Sequence, residues 1–155
     1  RLAFADLTNA TYWAENIGRG RWESLESLTL VARSCPSYAA LCTHHGLCSR
    51  KDAFPRLVRL TTHIGLLPSP STRNTLPPTL STLEVVSNPS LEPLAIYPHD
   101  EDTLRGVVSK LRSLRALVVP SGWATKDLSE VCLSNRVDLR DQVSCTRFSL
   151  EQISD

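Results

Sequence analysis

Apolar residues recur along this chain with a fixed local spacing. A leucine is followed three positions later by an apolar residue and, in most copies, by another two positions further on. On an extended strand, residues two apart point to the same side and can enter one core, whereas the alternate residues point outward. Five copies occur, at Leu2-Ala5-Leu7, Leu25-Leu28-Leu30, Leu57-Leu60-Thr62, Leu80-Leu83-Val85 and Leu114-Leu117-Val119.

The distance between copies predicts the architecture. The first leucines lie 23, 32, 23 and 34 residues apart, close to the period of about 20–29 residues that is typical of leucine-rich repeats. Strands laid side by side in this way form a parallel sheet, which needs a returning segment between neighbours. The predicted fold class is therefore α/β: a leucine-rich-repeat solenoid fragment with a short parallel sheet and irregular helical or loop returns. We expect this domain to cover residues 1–145, with 146–155 as a C-terminal cover or tail.

Several return segments carry helical signals. Leu104, Val107, Val108 and Leu111 follow one another at i, i+3, i+4 and i+7, with acidic residues before them and basic residues after, so 100–111 predicts a helix. Further helices are predicted over 12–17, 34–45, 125–135 and, in the tail, 147–153. The segment 137–139 predicts a last short strand.

Two other returns are rich in proline. The ranges 67–78 and 88–99 contain four and three prolines, respectively. Because proline lacks an amide hydrogen and clashes with the preceding helical turn, these segments predict irregular loops.

Composition and charge limit the kinds of partner and the cellular compartment that we expect for this chain. The chain has 155 residues, with Lys+Arg 17 against Asp+Glu 16 and a net charge of +1, so we expect neither a nucleic acid nor a membrane surface as partner. Its 5 cysteines are an odd number, which favours a reducing compartment, and no apolar run approaches the roughly 20 residues of a membrane span. We expect an intracellular protein, cytoplasmic or nuclear. Since the sequence starts at Arg1 and lacks methionine, we also expect it to be part of a longer polypeptide.

One cluster has the residue types of a metal site or a cysteine nucleophile: Cys35, Cys42, His44, His45 and Cys48. Four such ligands can enclose a tetrahedral zinc ion. The spacing lacks the paired C-x2-C of common zinc modules, and the predicted helix places Cys42 and His45 on a different face from His44 and Cys48. We therefore predict no metal, no cofactor and no catalysis. The alternative is a small zinc-binding domain or intracellular enzyme built on this cluster.

The outward strand residues form the predicted binding site. Side by side on a sheet, they present hydroxyl, charged and apolar groups on one concave surface, a mixture that suits a protein partner better than a nucleic acid. The candidate partner-binding residues are Thr29, Val31, Arg59, Thr61, His63, Thr82, Glu84, Val86 and Val118.

The segments 22–30, 54–60 and 77–85, together with 127–132 leading into 137–139, resemble the repeats of fungal F-box and leucine-rich-repeat proteins. In that family an aromatic residue or proline often introduces the strand, as Trp22, Phe54 and Pro77 do here. The asparagine or cysteine that usually follows the strand is missing from most copies. The resemblance implies a substrate-receptor subunit of a ubiquitin ligase, with the adaptor-binding F-box upstream of Arg1.

Overall fold

The computed structural model describes residues 2–5, 22–31, 54–67, 76–87 and 96–142, and only the backbone of 2–5, Val31 and Leu66. Within these ranges the chain forms one six-stranded sheet, two α-helices and a short 3-10 helix. All pairs of neighbouring strands are parallel. The predicted α/β class with a parallel sheet is thus confirmed. None of the helices in the described ranges is long and apolar enough to cross a membrane.

The strands lie in the sheet in the same order as in the sequence. Each connection must therefore carry the chain back to the edge where the strands begin, because parallel neighbours cannot be joined by a tight hairpin. The predicted last strand is confirmed as β6. The strands are β1 (Leu2–Ala5), β2 (Ser27–Val31), β3 (Arg59–His63), β4 (Thr82–Val86), β5 (Ala116–Val119) and β6 (Asp138–Asp141).

The core lies on one side of the sheet and is built from aligned leucines. Leu28, Leu60, Leu83 and Leu117 pair in register across β2 to β5, and each is 0% exposed. The next inward row contains Leu30, Thr62 and Val85. This is the arrangement that the leucine spacing predicts, since residues two apart on a strand share a face. Burying each leucine side chain stabilises the fold by about 1.5–3 kcal/mol relative to leaving it in water.

A hydrogen-bonded turn introduces four of the strands. The amide of the first leucine in each copy donates to the carbonyl three residues earlier, at 3.1–3.3 Å. The residue that accepts is Phe54, Pro77 or Leu111, all buried, or the partly buried Trp22. An apolar residue at this position anchors the turn to the core, which explains why an aromatic residue or proline precedes the repeat. The four turns are Trp22–Leu25, Phe54–Leu57, Pro77–Leu80 and Leu111–Leu114.

Helix α1 (Pro98–Lys110) confirms the helix predicted over 100–111 but begins two residues earlier. Tyr97 is its N-cap, and proline is tolerated in the first turn because its missing amide hydrogen has no partner in the helix. Pro98 and His99 therefore belong to the helix and not to the predicted loop over 88–99, which is a correction. Leu104, Val107 and Val108 face the core as the spacing predicts.

Helix α2 (Lys126–Ser134) confirms the helix predicted over 125–135. The side chain of its N-cap, Thr125, accepts a hydrogen bond from the Leu128 amide at 3.1 Å and donates one to Glu101 Oε1 at 2.6 Å, which ties the start of α2 to α1. At the other end, Arg136 has a φ of 59°. The Val137 amide donates to the carbonyl of Cys132 and the Arg136 amide to that of Leu133, which is the Schellman arrangement.

The first strand lies three residues away from the register that the leucine spacing predicts. The spacing equates Leu2 with Leu25, but in the sheet Leu2 pairs with Leu28 and Phe4 with Leu30. Leu2 thus takes the second apolar position of the repeat, so Leu2-Ala5-Leu7 is not a copy in the expected register. Leu2 and Phe4 are also two apolar residues that lie two positions apart, and these are the residues that pair with Leu28 and Leu30.

Some predictions lie wholly or partly outside the described residues. The helices over 12–17 and 34–45, the tail at 146–155 and the Cys35–Cys48 cluster are wholly outside them. Of the loop predicted over 67–78, residues 67 and 76–78 are described and belong to neither a helix nor a strand.

Candidate functional site

The nine predicted binding residues lie on four neighbouring strands. Thr29 and Val31 lie on β2, Arg59, Thr61 and His63 on β3, Thr82, Glu84 and Val86 on β4, and Val118 on β5. They alternate with the inward leucines and valines, so the sheet brings them to its opposite side. We call this side the outward face.

The strand register arranges these residues in three rows across the strands. The first row pairs Arg59 with Thr82, the second runs Thr29, Thr61, Glu84 and Val118, and the third pairs His63 with Val86. Neighbouring strands in a sheet are about 4.8 Å apart, so residues in one row are direct neighbours. Residues that are up to 89 positions apart in the sequence are thereby collected on one surface.

A hydrogen bond at the middle of the second row joins two of the predicted residues. The hydroxyl of Thr61 donates to Glu84 Oε2 at 3.0 Å, and both side chains are partly exposed. The distance is longer than the roughly 2.5–2.7 Å of a strong hydrogen bond from a hydroxyl to a carboxylate, so the contact orients the Glu84 side chain without locking it. The face thus presents a carboxylate that remains accessible to a partner.

Two of the nine predicted binding residues are largely buried and leave little surface for a partner to contact. His63 is 6% exposed, and its Nδ1 lies 3.2 Å from the carbonyl oxygen of Val86. Since a carbonyl only accepts, Nδ1 carries the proton in this contact. Val118 is 8% exposed, because the register sets it between the longer side chains of Glu84 and Arg140. Of the predicted residues whose side chains are described, the open ones are therefore Thr29, Arg59, Thr61, Thr82, Glu84 and Val86, whereas Val31 is described by its backbone alone.

Five further residues belong to the same rows but are not among the predicted binding residues. Ser27 and Ala116 extend the first row, which ends at Asp138, and Ala3 and Arg140 extend the second row at its two ends. Arg140 Nε donates to Asp138 Oδ2 at 2.7 Å, and both side chains are more than half exposed. The signal was present in the sequence, because the predicted strand at 137–139 has its own outward residues and Ala116 directly precedes an inward leucine.

The charges of the outward face are mixed. Arg59 on β3 is positive, Glu84 on β4 is negative, and β6 carries the Asp138–Arg140 pair. A face of this kind favours a partner with both hydrogen-bonding and charged groups, and it offers no concentrated field for a polyanion.

The described residues offer little for catalysis or metal binding. No group of three or more His, Cys, Asp or Glu side chains among them is arranged to hold a metal ion. Cys132 is a free thiol in the core, and burial raises its pKa to about 11. A thiol that stays protonated at neutral pH is a poor nucleophile.

No protein-family model, no curated protein and no solved structure matches the chain.

Proposed function

We propose that this chain is part of a leucine-rich-repeat solenoid and that it binds a protein partner through the outward face of its sheet. The observation that carries the proposal is the strand order, in which each strand pairs with the strands that precede and follow it in the sequence. Repeat arrays have this property because each unit contacts only its neighbours.

Side-chain hydrogen bonds between successive copies support the same proposal. The hydroxyl of Thr79 donates to the carbonyl of Leu57 at 2.9 Å, and the hydroxyl of Ser113 donates to that of Leu80 at 2.7 Å. Thr79 and Ser113 both directly precede the first leucine of their copy, and each acceptor is the first leucine of the copy before. The same bond at equivalent positions favours a repeated unit over a coincidental run of leucines.

The chemistry of the outward face supports a protein as the partner. It combines hydroxyl groups at Thr29, Thr61 and Thr82, the charges of Arg59 and Glu84, and the apolar Val86. Protein interfaces combine polar and apolar surface in this way, with about one hydrogen bond per 100–200 Å². We propose a binding role without catalysis, and no cofactor.

The resemblance to fungal F-box and leucine-rich-repeat proteins supports a more specific proposal. The chain would be the substrate-recognition part of an intracellular ubiquitin-ligase receptor, and a segment upstream of Arg1 would bind the ligase adaptor. Co-purification of the longer polypeptide with an adaptor tests this. If the longer chain captures no adaptor but still binds a partner, the binding module stands and the ligase role fails.

Charge reversal on the outward face tests the binding role. Proteins captured from cell extract by the wild type are compared with those captured by Arg59→Glu and by Glu84→Arg. The control is Glu130→Arg, an exposed residue of α2 on the other side of the sheet. Binding of the captured partner is then measured with purified proteins. We expect both face variants to weaken it by about tenfold or more, equivalent to 1.4 kcal/mol. Equal binding by all variants would refute the proposed face.

A further inference from the structure

Five arginines lie at the edge of the sheet where the parallel strands begin. Arg56 is in the turn before β3, and Arg59 is the first residue of that strand. Arg112 and Arg115 lie between α1 and β5, and Arg136 lies between α2 and β6. Parallel strands in register begin at the same edge, so the fold collects these residues there. All five are exposed. We call them the arginine rim.

From β3 to β6 the described residues leave most of the positive charge of the arginine rim uncompensated, whereas Glu26 lies beside Arg59 at the β2 end. Arg105, Lys126 and Arg140, which form ion pairs with Asp102, Glu130 and Asp138, do not belong to the rim. From β3 to β6 the one acidic residue at this edge, among those described, is Asp138, and it pairs with Arg140. Arginine side chains without a carboxylate nearby are available to an anion from outside.

The opposite edge of the sheet is acidic. Helices α1 and α2 run back toward the start of the next strand, so their first turns lie where the preceding strands end. Acidic residues in these first turns suit the positive end of the helix dipole, as Asp100, Glu101 and Asp127 do. Among the described residues, the two edges of the sheet from β3 to β6 therefore differ in the sign of their charge.

We infer that the arginine rim binds an acidic segment of a protein. The planar guanidinium group donates two parallel hydrogen bonds to one carboxylate, which makes arginine better suited to this contact than lysine. Strands two apart are separated by about 10 Å, so the rim residues of β3 and β5 match acidic residues three positions apart on an extended chain. The inference does not rest on the proposed outward face, with which the rim shares Arg59 alone.

A nucleic acid fits the same edge less well. Single strands bind through aromatic side chains on which the bases stack, in addition to basic residues. The exposed Tyr97 lies at the opposite edge, at the start of α1, and Trp22 packs against the core.

The test is binding of fluorescein-labelled decaglutamate, followed by fluorescence anisotropy at low ionic strength, where exposed charges are little screened. The test variant is R112E/R115E. The control is R105E/K126E, which makes the same change in net charge on exposed helix residues away from the rim. We expect R112E/R115E to weaken binding by about tenfold or more and the control by less than about threefold. Arg56→Glu alone should weaken it in the same direction, and circular dichroism checks that each variant folds.

Three outcomes would overturn the inference. The wild type could fail to bind decaglutamate, or both double variants could lose affinity equally, which would make net charge the cause. A ten-residue oligothymidylate could also bind more tightly than the peptide, which would assign the rim to nucleic acid. Failure of this test leaves the outward face untouched, because Glu84→Arg acts on a residue outside the rim.

Discussion

The Ser113 hydroxyl donates a 2.7 Å hydrogen bond to the carbonyl of Leu80, which lies 33 positions earlier in the sequence. The carbonyl belongs to the turn that introduces β4, and the hydroxyl belongs to the turn that introduces β5. Thr79 makes the equivalent bond to Leu57 one copy earlier. These bonds fasten each turn to the one before it, outside the backbone ladder of the sheet.

Loss of this contact is expected to destabilise the fold measurably. Ser113→Ala removes the donor and leaves the Leu80 carbonyl without it, at a cost of about 1 kcal/mol in the free energy of unfolding. Urea denaturation followed by circular dichroism measures the difference. Ser129→Ala is the control, since Ser129 is exposed and its hydroxyl bonds to Thr125 in the same helix. If Ser113→Ala cost no more than the control, the bond between copies would be unimportant.

Replacement of Thr62 by valine is expected to stabilise the fold. It is 0% exposed in the inward row that holds Leu30 and Val85 in the neighbouring strands, and its hydroxyl has no hydrogen-bond partner among the described residues. A buried hydroxyl without a partner costs about 1–3 kcal/mol. Thr62→Val keeps the branched shape and removes that cost, so we expect the free energy of unfolding to rise by about 1 kcal/mol.

The neighbouring residue supplies the control for this change. Thr61→Val makes the same replacement on the outward side of β3, where the hydroxyl bonds to Glu84. That variant should gain no stability. A destabilised Thr62→Val protein would indicate that the hydroxyl has a partner, such as a buried water molecule.

The buried Asp100 is expected to make the stability of the fold depend on pH. Burial in the first turn of α1 raises the pKa of its carboxyl above the ordinary 3.8, although His99 at 3.1 Å lowers it. Between the ordinary and the raised pKa the native state binds more protons than the unfolded state, so the contribution of Asp100 to stability falls as pH rises through this window. The ionised group therefore costs stability at neutral pH.

Asp100→Asn should remove this cost. We expect the variant to gain stability over the wild type at pH 7, and the gain to shrink as the pH falls from the raised pKa to 3.8 and to vanish below it. Urea denaturation of both proteins between pH 3 and pH 7 measures the difference. Asp102→Asn, an exposed residue in the same helix, corrects for the loss of one carboxylate. A gain that stayed constant over this pH range would contradict the explanation.

The sequence predicts the repeated parts of this fold well. Leu28, Leu60, Leu83 and Leu117 are aligned because a spacing of three and then two residues fits a turn followed by a strand, and this geometry is local. The helices over 98–110 and 126–134 follow from equally local spacing. The exchange of register at Leu2 was not predictable, because alternative alternating patterns overlap there and pairing with β2 decides between them.

The properties of the candidate site depend on neighbours that are distant in the sequence. The burial of His63 results from a contact with Val86, 23 positions later, and that of Val118 from strands on both sides. The net charge likewise does not predict the arginine rim, because the strand order is what brings Arg56, Arg115 and Arg136 to one edge of the sheet. The sequence predicts the position of each candidate residue along its strand. It does not predict how exposed the residue is or which other residues lie beside it.

The sequential strand order determines how the effect of a destabilising mutation passes from one strand to the next. In the described part of the sheet each strand pairs with the one before it and the one after it, so a disruptive mutation in β3 reaches β5 and β6 mainly through β4. We expect cooperativity to decay with distance across the sheet and unfolding to start from one end. Hydrogen exchange on the intact chain should therefore vary gradually from strand to strand and not as a single block.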